Sequence, residues 1–214
     1  MSDLISDKHV WTKGVAHLRK SDRVMARIIA ASPGKAMSLH KNHFEALVKA
    51  IIFQQISGSA GGSIFRKFKA LYGGKIPTPK VFLSTKEGTV RKAGISPQKY
   101  SYLKDLSERI EDGRLELKKF YAMDDAAVAS ELDEVRGIGR WTAEMFLIFT
   151  LGRSNVLPMD DLGLRKALMK AYKLKEMPDE NRFRKIAEKW HPYCTIASLG
   201  LWASLDNEKT GQNW

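Results

Sequence analysis

The stretch from residue 135 to residue 143 reads Val-Arg-Gly-Ile-Gly-Arg-Trp-Thr-Ala, and it lies between two segments with helical periodicity. Its Gly137-Ile138-Gly139 turn permits a tight reversal and leaves main-chain N–H groups uncovered. A helix that begins at Arg140 adds the N–H groups of its first turn, which attract phosphate. The stretch therefore predicts a corner between helices that can bind nucleic-acid phosphates without reading sequence. A corner that binds no ligand is the alternative.

The segments on both sides of this turn carry apolar residues at helical spacing, as in the series Phe44, Leu47, Val48, Ile51 and Ile52. No run of alternating apolar and polar residues is long enough for a convincing strand, so the sequence predicts an all-α fold. Predicted helices cover residues 9–18, 22–31, 42–55, 59–72, 80–84, 87–93, 97–112, 124–134, 140–151, 162–172, 181–190 and 192–202.

Turn residues separate these helices. Gly73 and Gly74 follow an apolar run and are typical of a helix C-terminus. Ser96 followed by Pro97 is typical of a helix N-terminus, with the serine as N-cap and the proline at the first helical position.

The overall charge favours a polyanionic partner. The chain of 214 residues has a formal net charge of +12 and a sequence pI of about 9.7, which makes nucleic acid the first candidate; a charge that only aids solubility is the alternative.

Cys194 is the only cysteine, so neither an intrachain disulfide nor a cysteine-built cluster can form. A reducing, intracellular location is expected, because the N-terminus shows no secretory signal and the chain no membrane span.

A second informative stretch follows the helix that begins at Arg140. Pro158 precedes Asp160 and Asp161, which in turn precede an apolar-periodic segment. The simplest interpretation is a helix N-terminus, where one Asp caps the helix and both interact favourably with its dipole. The functional interpretation is a fixed anion that stabilises the positive charge on a sugar while an N-glycosidic bond breaks, and that orients a water molecule.

The combined pattern resembles the helix-hairpin-helix-GPD superfamily of DNA glycosylases, in particular its 3-methyladenine DNA glycosylase II branch of alkylation-repair enzymes. Residues 135–143 match the second half of the helix-hairpin-helix motif, Leu132 fits its upstream apolar position, and one helix later a Pro-containing loop ends in Asp. The resemblance implies that Asp161 is catalytic and that Asp160 helps the cap or the fold. It also implies DNA contacts from the hairpin, at Gly137, Ile138, Gly139, Arg140 and Thr142.

One position of the hairpin predicts the type of reaction. Bifunctional members of the superfamily carry a nucleophilic Lys two residues after the second hairpin glycine, where this chain has Trp141. Tryptophan offers no amine, so the sequence predicts a monofunctional enzyme in which water attacks and the strand is not cut. The single cysteine likewise departs from the endonuclease III branch, whose members often carry a four-cysteine iron–sulfur loop.

Aromatic residues predict a pocket for the flipped base. The resemblance places Trp141 and Trp202 as its walls, with Met145 one turn after Trp141, and indole faces attract cationic alkylated purines by roughly 0.5–2 kcal/mol. Tryptophans also fill helical cores; that interpretation is preferred for Trp190 and stays open for Trp202.

Residues 53–60 interrupt an apolar helical pattern with a polar turn, and the resemblance implies that this turn enters the minor groove. In the branch that this chain resembles, an apolar residue of this turn fills the gap left by the flipped nucleotide. That residue would be Ile56, and Gln55 or Ser57 would contact the opposite strand. A buried core isoleucine is the alternative for Ile56.

No cofactor is expected to be required. His40, His43 and His191 lack the spacing to acidic residues or cysteine that suggests a zinc site. The resemblance does imply a structural Na⁺ or K⁺ ion at the hairpin, bound by the main-chain carbonyls of Asp133, Val135 and Ile138.

These observations predict a two-lobed helical bundle with the active site in a cleft between the lobes. One lobe would cover residues 42–151, and residues 1–41 plus 152–214 would form the second, which carries the catalytic Asp. The expected protein is a monomeric glycosylase that removes alkylated bases, of the 3-methyladenine and 7-methylguanine type, from double-stranded DNA during base excision repair. It would act in the cytoplasm or nucleoid of a prokaryote or the nucleus of a eukaryote. The alternatives are a non-catalytic module that binds damaged DNA, or a glycosylase for deaminated or oxidised bases.

Overall fold

The computed structural model describes residues 4–32 and 34–209, with side chains described up to residue 205. The described residues form α-helices, two short 3₁₀ helices and one isolated β-bridge between Leu4 and Arg153, and no strand. The helices are α1 Lys8–Ser21, α2 Arg23–Ala31, α3 His43–Phe53, α4 Gly58–Ala70, α5 Pro79–Ser84, α6 Glu87–Arg91, α7 Pro97–Glu111, α8 Asp125–Asp133, α9 Arg140–Phe149, α10 Leu162–Ala171, α11 Glu180–Ala187 and α12 Cys194–Lys209. The all-α prediction is confirmed.

The local signals for helix ends are confirmed as well. The Ser96 hydroxyl accepts a hydrogen bond from the N–H of Lys99 at 3.2 Å, and Pro97 is the first residue of α7. The N–H of Gly74 donates to the carbonyl of Lys69 at 2.9 Å and closes the end of α4. Short polar side chains therefore begin these helices and glycine ends them, as the sequence predicted.

The structure corrects the predictions in two places. A 3₁₀ helix over Leu117–Ala122, anchored by the buried ring of Phe120, was not predicted. The last helix covers Cys194–Lys209 rather than 192–202, because a turn, in which the N–H of Tyr193 donates to the carbonyl of Trp190, separates it from the preceding 3₁₀ helix Glu188–Trp190.

The chain divides into two compact units, unit 1 with Met1–Leu39 and Leu147–Trp214, and unit 2 with His40–Phe146. The core of unit 1 is built around the fully buried Trp190 and Phe183, whose rings meet edge to face at 6.2 Å. The core of unit 2 includes Phe68 and Phe82, with ring centroids 6.2 Å apart.

Of the helices within the described residues, none has the length and apolar character needed to cross a membrane.

Candidate active site

The hairpin in unit 2 is a tight turn fixed by its own main chain. The N–H of Ile138 donates to the carbonyl of Val135 at 3.0 Å, and both side chains are buried. Gly137 has a φ of +80°, which strongly favours glycine. Gly139 is exposed, and nothing lies within 4 Å of where a Cβ would stand. The turn thus leaves its glycine backbone accessible, as phosphate binding requires.

Side chains of α7 support this turn. A Cβ at Gly137 would lie 2.2 Å from the ring of Tyr102, so the glycine is needed for space as well as for its φ. One residue earlier, the N–H of Arg136 donates to Asp105 Oδ2 at 2.9 Å. Tyr102 and Asp105 therefore position the main chain of the hairpin.

Helix α9 begins directly after the hairpin. The carbonyl of Gly139 accepts the N–H of Ala143 at 3.1 Å, and the side chain of Arg140 donates to Glu144 Oε1 at 3.2 Å. The N–H groups of a helix's first turn lack intrahelical partners, so they can bind an anion. Thr142 is 6% exposed, so a contact from this residue would come from its main chain.

Among the residues predicted to line the base pocket, two lie on α9. Trp141 is 46% exposed, which excludes a role as a buried core residue in this structure. Met145, one turn later, is half-buried.

The predicted minor-groove turn, residues 54–57, follows the end of α3. Gln55 has a φ of +57°, a left-handed conformation that costs a non-glycine residue of order 1 kcal/mol. Ile56 is 36% exposed, which rules out the alternative of a buried core isoleucine. The hydroxyl of Ser57 accepts the N–H of Ala60 at 3.3 Å and caps α4.

The minor-groove turn and the hairpin are directly connected. The side-chain amide of Gln54 donates to the main-chain carbonyl of Gly137 at 2.7 Å. Two loops more than eighty residues apart in sequence therefore lie side by side in unit 2. The sequence analysis did not identify Gln54, and nothing in its local pattern indicates a partner in the hairpin.

The predicted catalytic carboxylate belongs to unit 1 and begins α10. Asp161 Oδ1 accepts the N–H of Leu164 at 2.6 Å, so Asp161 itself is the N-cap. The sequence left open which of the two aspartates caps the helix; Asp160, for which a supporting role in the cap or the fold was expected, is exposed and directly precedes the N-cap. Asp161 is half-buried, neither enclosed in the core nor fully solvated.

A tryptophan holds the same carboxylate from a second direction. The indole N–H of Trp202 donates to Asp161 Oδ1 at 2.9 Å. The indole is half-buried and lies nearly parallel to the ring of Phe149, with centroids 6.2 Å apart. The structure brings Trp202 and Asp161 together, and it adds Phe149, which the sequence analysis did not identify. The Asp161 carboxylate accepts hydrogen bonds from Leu164 and Trp202, and these bonds hold it in one orientation.

The remaining expectations concern ions and core residues. The carbonyl of Val135 accepts one turn hydrogen bond, which uses one of its two lone pairs. Among the described side chains, which end at residue 205, no group of three or more acidic, His or Cys residues could hold a metal. Trp190 is fully buried, as the core interpretation predicted.

The family model for HhH-GPD superfamily base excision DNA repair proteins matches residues 48–192, more than half of the chain. The chain belongs to this superfamily. The matched region contains the minor-groove turn, the hairpin and Asp161.

Individual relatives agree with this membership. DNA-3-methyladenine glycosylase 1 of Schizosaccharomyces pombe is 31% identical over 197 residues, which cover 89% of this chain and 86% of the relative. A 3-methyladenine DNA glycosylase from that yeast, solved in complex with abasic DNA, superimposes with a TM-score of 0.82 at 27% identity over 94% of this chain and all of the other. A DNA-3-methyladenine glycosidase of Bacillus halodurans has a TM-score of 0.79 at 30% identity, over 94% of this chain and 90% of its own.

Proposed function

We propose that this chain is a monofunctional DNA glycosylase that flips an alkylated base out of duplex DNA and hydrolyses its N-glycosidic bond. Relatives of similar length are named as 3-methyladenine DNA glycosylases, and one of them was solved on abasic DNA. The net charge of +12 suits a DNA partner, whose binding should weaken steeply with salt. Such an enzyme acts in base excision repair and leaves an abasic site. It would work where genomic DNA is found, in the nucleoid or in the nucleus.

The carboxylate of Asp161 is the observation that carries this proposal. It is oriented by the N–H of Leu164 and the indole of Trp202, and it remains half-buried at a helix N-terminus. Positive charge develops on the deoxyribose as the bond between base and sugar breaks. A preorganised anion stabilises that charge without reorganisation, and it can orient a water molecule toward the sugar carbon.

The proposed reaction balances without a cofactor. The electron pair of the glycosidic bond leaves with the base, so a cationic alkylated purine departs as a neutral molecule. The oxygen of water bonds to the sugar carbon, and its proton is transferred to Asp161 or to solvent. Trp141 stands where bifunctional relatives carry an amine, so no covalent enzyme–DNA intermediate is expected.

DNA binding is assigned to main-chain groups and to one apolar side chain. The exposed Gly139 and the first turn of α9 support a phosphate contact at the hairpin. Ile56 supports a wedge between base steps, because it projects from a turn with a third of its surface exposed. We assign Gln55, exposed beside it, to the opposite strand.

Base recognition is assigned to Trp141, Met145 and Trp202. Trp141 is nearly half exposed, and the indole N–H of Trp202 donates to the Asp161 carboxylate. Indole faces attract an alkylated purine that carries positive charge. A Na⁺ or K⁺ ion on the carbonyls of Asp133, Val135 and Ile138 would reinforce the hairpin's attraction for phosphate.

The test is release of 3-methyladenine and 7-methylguanine from methylated duplex DNA by Asp161→Asn. Asparagine caps a helix as well as aspartate, and its amide oxygen can still accept from Leu164 and Trp202. The rate of base release should therefore fall by roughly 10³-fold or more while the unfolding temperature and the affinity for abasic DNA persist.

Asp160→Asn is the matched control, because it removes the same charge from the exposed neighbour. Borohydride added during the wild-type reaction should trap no covalent adduct. Full activity of Asp161→Asn, or a trapped adduct, would contradict the mechanism. A panel of deaminated and oxidised duplexes would then define the preferred lesion.

A further inference from the structure

Helix α3 ends where the minor-groove turn begins, and a lysine from another helix closes that end. The last carbonyls of a helix lack intrahelical donors. Lys99 Nζ donates to the carbonyl of Ile52 at 2.7 Å and to that of Gln54 at 2.8 Å. A cation at this position also interacts favourably with the helix dipole.

The surroundings of Lys99 show that this contact is specific. Lys99 is half-buried, and this burial lowers the pKa of its ammonium group. A lysine that only aided solubility would extend into water. Here the ammonium has left part of its hydration shell for two carbonyl acceptors, and such charge-assisted hydrogen bonds are stronger than those between neutral groups.

The turn itself needs such support. Gln55 holds a left-handed conformation, which persists only where neighbouring contacts fix it. Gln54 is fixed twice, since its main-chain carbonyl accepts from Lys99 and its side chain donates to Gly137 in the hairpin. These two bonds fix the main chain two residues before Ile56.

A single face of α7 supports both DNA-binding loops. Lys99, Tyr102 and Asp105 follow one another at a spacing of three residues, which places them on one side of a helix. Lys99 holds the minor-groove turn, whereas Tyr102 and Asp105 hold the hairpin. Because α7 is continuous over fifteen residues, it sets the spacing between the two loops.

We propose that Lys99 is a positioning residue for base flipping: by holding the end of α3, it fixes the direction in which Ile56 enters the DNA. This inference rests on the proposed function, because it takes Ile56 as the wedge. Lys99 needs no contact with DNA or with the reacting atoms to act in this way.

The test measures wedge insertion independently of base release. A duplex carries 2-aminopurine opposite a stable abasic-site analogue, and its fluorescence reports how far saturating protein unstacks the probe. Lys99→Met removes the charge and the donors but keeps the length of the side chain. It should abolish most of the fluorescence rise, as Ile56→Ala should also do, and it should shift the flipping equilibrium by about tenfold.

Three further variants test whether the loss comes from positioning of the wedge rather than from the removal of a positive charge. Lys99→Arg, which keeps charge and donors, should restore much of the signal. Lys104→Met, the matched control, removes one charge from an exposed site on the same helix and should behave as wild type. In an Ile56→Ala background, Lys99→Met should cause no additional loss, because both changes remove the same event.

Two results would overturn the proposal, namely a wild-type fluorescence rise in Lys99→Met or an additive loss in the double variant. If Lys99→Met does not unfold cooperatively, Lys99→Gln replaces it under the same expectations. Failure of the proposed function gives a different pattern, in which wild-type protein unstacks the probe but releases no base from methylated duplex.

Discussion

Asp22 and Asp161, both in unit 1, can be compared directly, because each begins a helix and each accepts a hydrogen bond from a tryptophan indole at 2.9 Å. Asp22 is 2% exposed and also contacts the hydroxyl of Tyr172 and, at 3.2 Å, the ammonium of Lys189. Asp161 is half-buried. An N-cap aspartate that accepts from a tryptophan indole thus occurs twice, once enclosed in the core and once half-buried.

The comparison shows that capping geometry is the same for a carboxylate enclosed in the core and for the one that we propose to be catalytic. A buried anion is tolerated only when it is fully hydrogen-bonded or paired, and Asp22 meets that requirement. A catalytic anion must keep access to substrate, and the partial exposure of Asp161 is consistent with that. Burial, rather than the residue type or the cap, carries the functional information.

The largest expected effect comes from truncation of the two caps. Asp22→Ala should lower the free energy of unfolding by about 3–5 kcal/mol, because it leaves buried donors and a cation without their acceptor. Asp161→Ala should cost only about 1–2 kcal/mol, mainly the lost cap. Urea unfolding of both variants measures the difference. If both variants lost the same free energy of unfolding, the two carboxylates would contribute equally to stability.

The sequence predicted where the two helices begin, but not which distant side chains contact their N-cap carboxylates. A helix that begins at Asp22 and a capped helix after Asp160-Asp161 were predicted, because the start of a helix depends on neighbouring residues. The partner of Asp22, Trp190, lies 168 residues away and that of Asp161, Trp202, lies 41 away. No local pattern encodes such pairs, so the sequence could not reveal which carboxylate is enclosed.

The two loops of unit 2 that we propose to bind DNA also combine features that the sequence predicted with contacts that it did not. The glycines of the hairpin were predicted, because a tight turn with exposed N–H groups needs them locally. The supporting residues Lys99, Tyr102 and Gln54 were missed, because their roles depend on how α3, α7 and the hairpin pack together. The 3₁₀ helix over Leu117–Ala122 was missed for a related reason, since its buried anchor Phe120 is recognisable only in the packed unit.

The next largest effect should distinguish the role of Trp202 from that of Trp190. Trp202→Phe keeps a ring against Phe149 but removes the N–H that orients Asp161, so the single-turnover rate of base release should fall by about tenfold with little change in stability. Trp190→Phe should do the reverse, because it leaves a small cavity and removes a donor to the buried Asp22. The paired measurement is base release and urea unfolding of each variant; a slow Trp190→Phe enzyme of normal stability would contradict the assignment.

The smallest effect concerns acid stability, and it follows from the ionisation of Asp22. Burial by itself raises the pKa of Asp22, but hydrogen bonds from Tyr172, Trp190 and the N–H of Val24, with a contribution from Lys189, outweigh it and hold the pKa below its usual range. A carboxyl whose pKa is depressed by folding stabilises the protein above its unfolded pKa, about 3.9, and loses that contribution as the pH falls through the folded value.

Wild-type protein should therefore lose stability below about pH 4 beyond the general effect of its positive charge. Asp22→Asn shares that general effect and lacks this ionisation, and the stability that it loses with its hydrogen bonds is the same at every pH. The wild-type advantage in unfolding free energy should shrink as the pH falls from 5 to below the unfolded pKa of about 3.9 and on toward the lower folded pKa. Urea unfolding of both proteins at each pH measures it. A constant advantage would mean that Asp22 is held by its shape and hydrogen bonds alone, and the contrast with Asp161 would then rest on exposure without a difference in charge stabilisation.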